Sequence, residues 1–107
     1  MRVETPPAVV AALGAANSGD TESFLNCFSE DGSVNDWGHI YSGRQAVREW
    51  SDREFIGVHV HLAVLEQSTS GNTTVVTAQV GGSGFNGRST FRFTTEGDAI
   101  RAMSITA

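Results

Sequence analysis

One carboxylate in the sequence has neighbours that could adapt it to acid–base chemistry. Asp36 lies between Val34 and Trp37. Apolar neighbours disfavour the charged form of a carboxylate, and the resulting rise in proton affinity suits a general base that works near neutral pH. The sequence therefore predicts one of two roles for Asp36. It is either a general base or a structural residue that braces the loop from Trp37 to Tyr41.

Three histidines are the other candidate acid–base residues. His39 follows Asp36 in the same loop, whereas His59 and His61 project from one face of a strand predicted at residues 58–65. If the valine face of that strand packs on the helices, both histidines point to solvent or to a dimer interface. If the histidine face packs inward, a neutral imidazole donates into a pocket or pairs with Asp36. The candidate catalytic residues are Asp36, His39 and His59.

The same histidines do not indicate a metal site. Three protein ligands suffice for catalytic zinc, but the spacing of His39, His59 and His61 matches no standard zinc motif. The glycine-rich stretch at residues 81–87 lies between two predicted strands, whereas a phosphate-binding glycine loop opens into a helix. We therefore predict no metal and no cofactor. Residues 81–87 are predicted to form a hairpin loop or bulge, with Phe85 at its tip over a pocket mouth or a partner surface.

Aromatic residues are the third group with a bearing on function. They either fill the hydrophobic core or line a pocket suited to a flat apolar ligand. In the second case Phe91 and Phe93 form the floor of the pocket, Trp37 and Tyr41 form its edge, and Gln79 orients the ligand. The candidate ligand-binding residues are Trp37, Tyr41, Trp50, Phe55, His61, Gln79, Ser89, Phe91 and Phe93.

The first half of the chain predicts helices. The first helix begins near Pro7, because proline suits the first helical position and Thr5 can cap the free amides. Gly19 is a suitable end for that helix, and Asp20 can cap a second, shorter helix. Residues 30–32 then predict a turn.

A third helix and a series of strands complete the predicted elements. Ser42 and Gln45 have capping-box spacing for the helix, which ends near Phe55. Strands are predicted at residues 58–65, 73–80, 88–95 and 99–106. Their short connections favour antiparallel pairing, and helices followed by a meander indicate the α+β class, with a curved antiparallel sheet and helices packed on one face.

Composition and charge narrow the possible functions. A chain of 107 residues with 39% hydrophobic residues is typical of one globular domain, here residues 1–107. Seven arginines scattered among twelve acids give a net charge of -5, so we expect no nucleic-acid partner. No apolar stretch approaches the roughly 20 residues that span a bilayer, no secretory signal is evident, and Cys27 has no partner for an internal disulfide. These features favour a cytoplasmic protein without membrane contact.

Five segments of the chain match the pattern of a known family: Gly19-Asp20, Phe28 to Gly32, Asp36, Tyr41 to Trp50, and Phe91 to Met103. Together they resemble the SnoaL-like group of the nuclear-transport-factor-2-like superfamily, which includes ketosteroid isomerases, polyketide cyclases and scytalone dehydratases. The resemblance covers nearly the whole chain. It implies a cone-shaped fold in which a strongly bent sheet wraps around the helices and leaves an apolar pocket open at one end. It also implies dimers formed through the sheet.

The resemblance bears on chemistry residue by residue. Asp36 matches the aspartate with which ketosteroid isomerases remove a proton next to a carbonyl group. Ketosteroid isomerase is a well-known example of an enzyme that adjusts the pKa of its carboxyl groups. Ala12 and Ser89 match the positions of the two groups that donate hydrogen bonds to the enolate in that enzyme. Alanine donates nothing and serine donates one neutral hydrogen bond, so steroid isomerisation of the known kind is not expected. The resemblance therefore leaves three functions open. The first is acid–base chemistry on a carbonyl-bearing ligand, the second is a non-catalytic binding or dimerisation module, and the third is a protein-interaction domain.

Overall fold

The computed structural model describes residues 5–107, so residues 1–4 of the predicted domain lie outside the described part. The helices are α1 (Pro7–Ser18), α2 (Thr21–Asn26) and α3 (Arg44–Glu54), and a short 3₁₀-helix (Ile56–Val58) follows α3. The strands are β1 (Phe28–Asp36), β2 (His39–Ser42), β3 (His61–Ser70), β4 (Thr73–Gly81), β5 (Gly87–Glu96) and β6 (Ala99–Thr106). The predicted α+β class is confirmed.

All six strands belong to one curved sheet in the order β2-β1-β6-β5-β4-β3. The predicted meander from β3 to β6 is confirmed as antiparallel. The sheet is mixed, because β1 pairs with β6 in parallel while β2 returns antiparallel along β1. The strand register shifts within β1, β3 and β5, and such irregularities bend a sheet. Residues 30–32, predicted as a turn, belong to the irregular part of β1.

The ends of the first two helices follow the sequence signals closely. Gly19 ends α1 in the left-handed conformation, and the carboxylate of Asp20 accepts a hydrogen bond from the Ser23 amide to cap α2, both as predicted. The predicted cap at Thr5 is wrong, since Pro6 precedes the helix and no side chain caps it. Proline at the first turn lacks the amide that a cap would otherwise satisfy.

The capping box predicted for α3 is also wrong. Gly43, with φ of 89°, occupies the position before the helix, and no side chain caps it. A left-handed backbone at this point favours glycine and moves Ser42 out of capping position, into the end of β2. The helix ends at Glu54, one residue from the predicted end.

The core lies between the helices and the inner face of the sheet. Each helix contributes fully buried side chains, including Val9, Leu25 and Trp50. On the sheet, buried residues alternate with more exposed ones along β4 and β5, as expected for strands that cover a core with one face. The largest fully buried side chains are Trp50, Phe24, Phe91, Phe93, Leu25, Ile100 and Met103.

One polar group in this core has no partner. Ser51, on α3, is 0% exposed, and its Oγ forms no hydrogen bond with any described residue. An unsatisfied buried hydroxyl costs about 1–3 kcal/mol, and alanine is also the better helix former. We therefore expect Ser51→Ala to raise the free energy of unfolding by about 1 kcal/mol, measured by urea denaturation.

A buried threonine provides a control with the opposite sign. Thr74 is 0% exposed, but its Oγ1 lies 2.9 Å from Oγ1 of Thr69. Thr74→Val keeps the shape and removes one partner of that bond, so it should lower stability by about 1 kcal/mol. A loss of stability in Ser51→Ala would show that this hydroxyl is satisfied after all.

Candidate functional site

A small cavity lies beside the end of β1, between α3 and the inner face of the sheet. Its volume is about 60 Å³. It adjoins an open groove of about 290 Å³, and Asp36, Trp37, Glu54, Val58 and Phe85 line both. The cavity as a whole is lined by Asp36, Trp37, Trp50, Glu54, Phe55, Val58, Val60, Val80, Gly81, Phe85, Ser89, Phe91 and Ile105. Its wall is therefore mainly apolar, with two carboxylates and one hydroxyl.

Asp36 is held in place by a neighbouring indole. The Nε1–H of Trp50 donates a hydrogen bond of 3.0 Å to Oδ2 of Asp36. Trp50 is 1% exposed, so the donor is fixed by the packing of α3, whereas Asp36 is half-buried at the last position of β1. The bond orients the carboxylate where the cavity meets the groove.

The turn after Asp36 places an aromatic side chain at the mouth of the cavity. Trp37 and Gly38 connect β1 and β2 and have φ of 54° and 95°, the sign that a two-residue type I′ turn requires. Positive φ is unfavourable for tryptophan. Oδ1 of Asn35 accepts a hydrogen bond from the Gly38 amide at 2.8 Å and stabilises the turn. The indole of Trp37 is consequently 55% exposed while still lining the cavity.

Stacked aromatic rings form the inner wall. The ring centroids of Trp50 and Phe55 are 4.9 Å apart in a stacked arrangement. The centroids of Phe55 and Phe91 are 6.4 Å apart, with the two rings tilted. Both phenylalanines are buried. Of the predicted ligand-binding residues, Trp37, Trp50, Phe55, Ser89 and Phe91 line the cavity.

The connection from α3 to β3 and the loop at residues 82–86 close the other side of the cavity. The Ser83 amide donates to the Val58 carbonyl oxygen at 2.8 Å. A Cβ on Gly82 would lie 2.7 Å from the His59 carbonyl oxygen, so this close approach requires glycine. The contact fixes the start of the glycine-rich loop and places Phe85, 55% exposed, beside the cavity.

The structure places all three histidines outside the cavity. His39 is exposed at the start of β2. The predicted strand at residues 58–65 is wrong at its start, because Val58 ends the 3₁₀-helix and His59 is left-handed, with φ of 56°. The assumed strand alternation therefore does not hold there. His59 and His61 line a separate groove against the end of α1.

Three other predicted ligand-binding residues also lie elsewhere. Tyr41 is half-buried behind Trp50, at a centroid distance of 6.3 Å, and the Arg53 guanidinium lies 5.7 Å above its ring. Gln79 is exposed on the outer face of β4. Phe93 is fully buried and stacks on Phe91, one layer behind the cavity wall.

Sequence reasoning did not select Glu54 as a site residue. Glu54 is the last residue of α3 and lines both the cavity and the groove. It forms an exposed ion pair with its neighbour Arg53 at 3.4 Å. Helical spacing from Trp50, which is four residues earlier, puts Glu54 on the same side of α3 and is the signal that could have identified it.

Other reactive groups in the described chain lie apart from the cavity. Burial raises the pKa of the Cys27 thiol, which disfavours the reactive thiolate. Among residues 5–107, no three His, Cys, Asp or Glu side chains converge to hold a metal ion. No helix in this part of the chain is long and apolar enough to cross a membrane.

Solved structures with the same fold come from several bacteria. A proposed polyketide cyclase from Sinorhizobium meliloti is 24% identical, with 95% of each chain covered and a TM-score of 0.84. A protein of ketosteroid isomerase-like fold from Catenulispora acidiphila, in complex with trimethylamine, is 22% identical, with 97% of this chain and 87% of that chain covered and a TM-score of 0.80. A Mycobacterium tuberculosis protein in complex with an estradiol hemisuccinate is 16% identical, with 94% and 90% covered and a TM-score of 0.82. At these identities the similarity shows the fold.

The sequence itself identifies the family. Comparison with curated proteins gives no match. The family model of the SnoaL-like domain matches residues 9–105, from within α1 to the last residue but one of β6. This range contains every residue that lines the cavity. Because the match covers most of the chain, the chain belongs to the SnoaL-like domain family.

Proposed function

We propose that the protein binds a small organic molecule in the Asp36 cavity and performs acid–base chemistry on it, with Asp36 as general base. The observation that supports this most directly is the position of the carboxylate, which lines both cavity and groove and is fixed by the Trp50 indole at 3.0 Å. A carboxylate held beside an apolar wall can accept a proton from a carbon next to a carbonyl group.

The second group available to such a reaction is Ser89. It is 1% exposed and lines the cavity, so its hydroxyl can donate to a developing enolate oxygen. Ala12 is buried and offers no donor, and the histidines lie outside. Losing one such donor typically slows a reaction by about a hundredfold or more. The lining therefore supports proton transfer, cyclisation or dehydration at modest rates, rather than steroid isomerisation of the known kind.

The cavity volume restricts what can enter. At about 60 Å³ it is smaller than the roughly 150 Å³ cavity that admits benzene. A ligand therefore inserts a small group of a few non-hydrogen atoms, and the rest of the molecule occupies the groove beside Trp37 and Phe85. Similar structures in complex with trimethylamine and with an estradiol hemisuccinate support a ligand-binding role.

A non-catalytic binding or dimerisation module is the second candidate. It is favoured by the same Trp50–Asp36 bond, because that contact joins α3 to the end of β1 without any ligand. In this case Asp36 is structural.

For either function we propose that two copies of the chain pair through the outer face of the sheet, where Ile40 is 66% exposed. Sedimentation velocity would measure the mass of the particle and so distinguish a dimer from a monomer.

Proton exchange tests the base role without knowledge of the natural ligand. Acetone or butanone in deuterated buffer loses its protons next to the carbonyl group, and proton NMR follows the rate. We expect wild-type protein to accelerate the exchange and Asp36→Asn to lower that acceleration by about a hundredfold. Asp52→Asn removes an equal charge from α3 at an exposed position that does not line the cavity, so it should match wild type.

Binding measured in the same samples separates the two candidates. Saturation-transfer NMR that shows ketone binding in wild type, with no Asp36-dependent exchange, would support the non-catalytic module. If neither ketone binds, the proposed chemistry on a carbonyl-bearing ligand in this cavity is contradicted.

A further inference from the structure

The charge of the cavity lining is negative. Asp36 and Glu54 both line it, and no basic side chain among residues 5–107 does. Arg53 pairs with Glu54 at 3.4 Å, but both side chains are about half exposed, and Arg53 lines the outer groove rather than the cavity. Exposed ion pairs of this kind are weak, so they do not neutralise the cavity.

Aromatic side chains surround these carboxylates. Trp50, Phe55 and Phe91 form the inner wall, and Trp37 and Phe85 stand at the mouth. The face of an aromatic ring carries negative potential and attracts cations, most strongly for tryptophan. Carboxylates together with aromatic faces are the combination that recognises an organic cation, because they supply both charge and apolar contact.

Ser89 adds one polar group to the cavity lining. It is 1% exposed and lines the cavity. The oxygen of a serine hydroxyl can accept a hydrogen bond from the N–H of a protonated amine.

The strained turn at Trp37 is consistent with a binding role. Two hydrogen bonds hold Trp37 at a positive φ. The Gly38 amide donates to Oδ1 of Asn35, and the Trp37 amide donates to the carbonyl oxygen of Ile105 at 3.1 Å. Strained backbone of this kind is concentrated at ligand sites, where the surrounding structure maintains it. The consequence here is an indole kept at the mouth of a negatively charged cavity.

We propose that the ligand is a small organic cation, a protonated or methylated amine, whose charged head enters the cavity beside Asp36 and Glu54. The rest of the molecule lies in the groove between Trp37 and Phe85. This inference rests on the proposed binding cavity. A carbonyl compound that carries a cationic nitrogen satisfies both proposals. The net charge of -5 favours the approach of such a ligand.

Choline and its neutral carbon isostere, dimethylbutanol, test the assignment because they share a shape and differ in charge. Isothermal titration calorimetry at physiological ionic strength should show choline binding wild type about tenfold more tightly than the isostere. Asp36→Asn and Glu54→Gln should each reduce choline affinity several-fold and leave the isostere unchanged. Asp52→Asn, which removes an equal charge outside the cavity, should leave both affinities unchanged.

Three results would overturn the proposal in distinguishable ways. Equal affinity for choline and the isostere would reject the cationic ligand and leave the pocket standing. Equal losses of choline affinity in Asp36→Asn, Glu54→Gln and Asp52→Asn would show a general charge effect rather than a site. If the ketones bind but choline does not, the proposed function survives and the cation inference fails.

Discussion

Gly57→Ala is expected to lower the free energy of unfolding by about 3 kcal/mol or more. Overpacking typically destabilises a protein by about 1–3 kcal/mol, and the upper end of that range applies where the neighbouring atoms belong to rigid backbone. A Cβ at this position would lie 1.6 Å from the carbonyl oxygen of Asp52 and 2.4 Å from its carbonyl carbon. Both are backbone atoms in α3, so the helix end or the 3₁₀-helix must move. Urea denaturation measures the loss.

The same substitution should also disturb the cavity. Val58, the next residue, lines the cavity, and its carbonyl oxygen anchors the loop at residues 82–86 by accepting a hydrogen bond from the Ser83 amide. Movement of the 3₁₀-helix would therefore displace Phe85 as well. Ligand binding in Gly57→Ala should weaken together with stability.

Gly14→Ala is the matched control. Gly14 lies inside α1 and is exposed, and a Cβ added there would meet no other atom within 4 Å. Alanine at this position should raise stability by about 0.5–1 kcal/mol, because glycine is the poorer helix former. Equal effects of the two substitutions on the urea midpoint would contradict the clash at Gly57.

Trp50→Ala is the second change with a large expected effect. Trp50 is 1% exposed, stacks on Phe55 and donates to Asp36. Truncation of a buried tryptophan typically costs about 3–5 kcal/mol through lost contacts and the cavity left behind. We expect a loss in that range by urea denaturation, together with loss of ligand binding because Asp36 is no longer oriented.

Two further variants separate the causes of that loss. Trp50→Phe keeps an aromatic ring and removes the N–H donor. Hydrogen bonds to charged groups contribute about 1.5–3 kcal/mol, so Trp50→Phe should lower the free energy of unfolding less than Trp50→Ala does. Trp37→Ala removes the same side chain from a position that is 55% exposed and should change stability by less than about 1 kcal/mol. If Trp37→Ala were as destabilising as Trp50→Ala, the assignment of Trp50 as the internal support would be wrong.

Local signals were sufficient for much of the secondary structure. Gly19 and Asp20 mark the boundary between α1 and α2. Gly19 ends α1 in the left-handed conformation and Asp20 caps α2 with its carboxylate, and both effects depend only on adjacent residues. The strands predicted at residues 73–80, 88–95 and 99–106 match β4, β5 and β6 within a residue or so at each end. The resemblance to the SnoaL-like group was confirmed by the family model over residues 9–105.

The histidines show where local pattern was insufficient. Alternation in residues 58–65 predicted one strand face for His59 and His61, but the strand begins only at His61. The preceding backbone is a 3₁₀-helix that packs closely on Asp52 at Gly57 and on the loop at Gly82. The contact with Gly82 joins residues that are distant along the chain, so no short window of sequence contains it.

By itself, the sequence determined the α+β class and most helix and strand positions, and it selected Asp36, which lines the cavity, as a candidate carboxylate. Periodicity, caps and turn residues depend on neighbouring positions, and for that reason they can be read from sequence. Only the tertiary structure decided which side chains join Asp36: Glu54 and Phe85 enter the cavity lining, while His59 and His61 line a separate groove. The reason is that a cavity lining depends on how α3, the sheet and the loop at residues 82–86 pack on one another, and side-chain packing over such distances is not encoded in any local pattern.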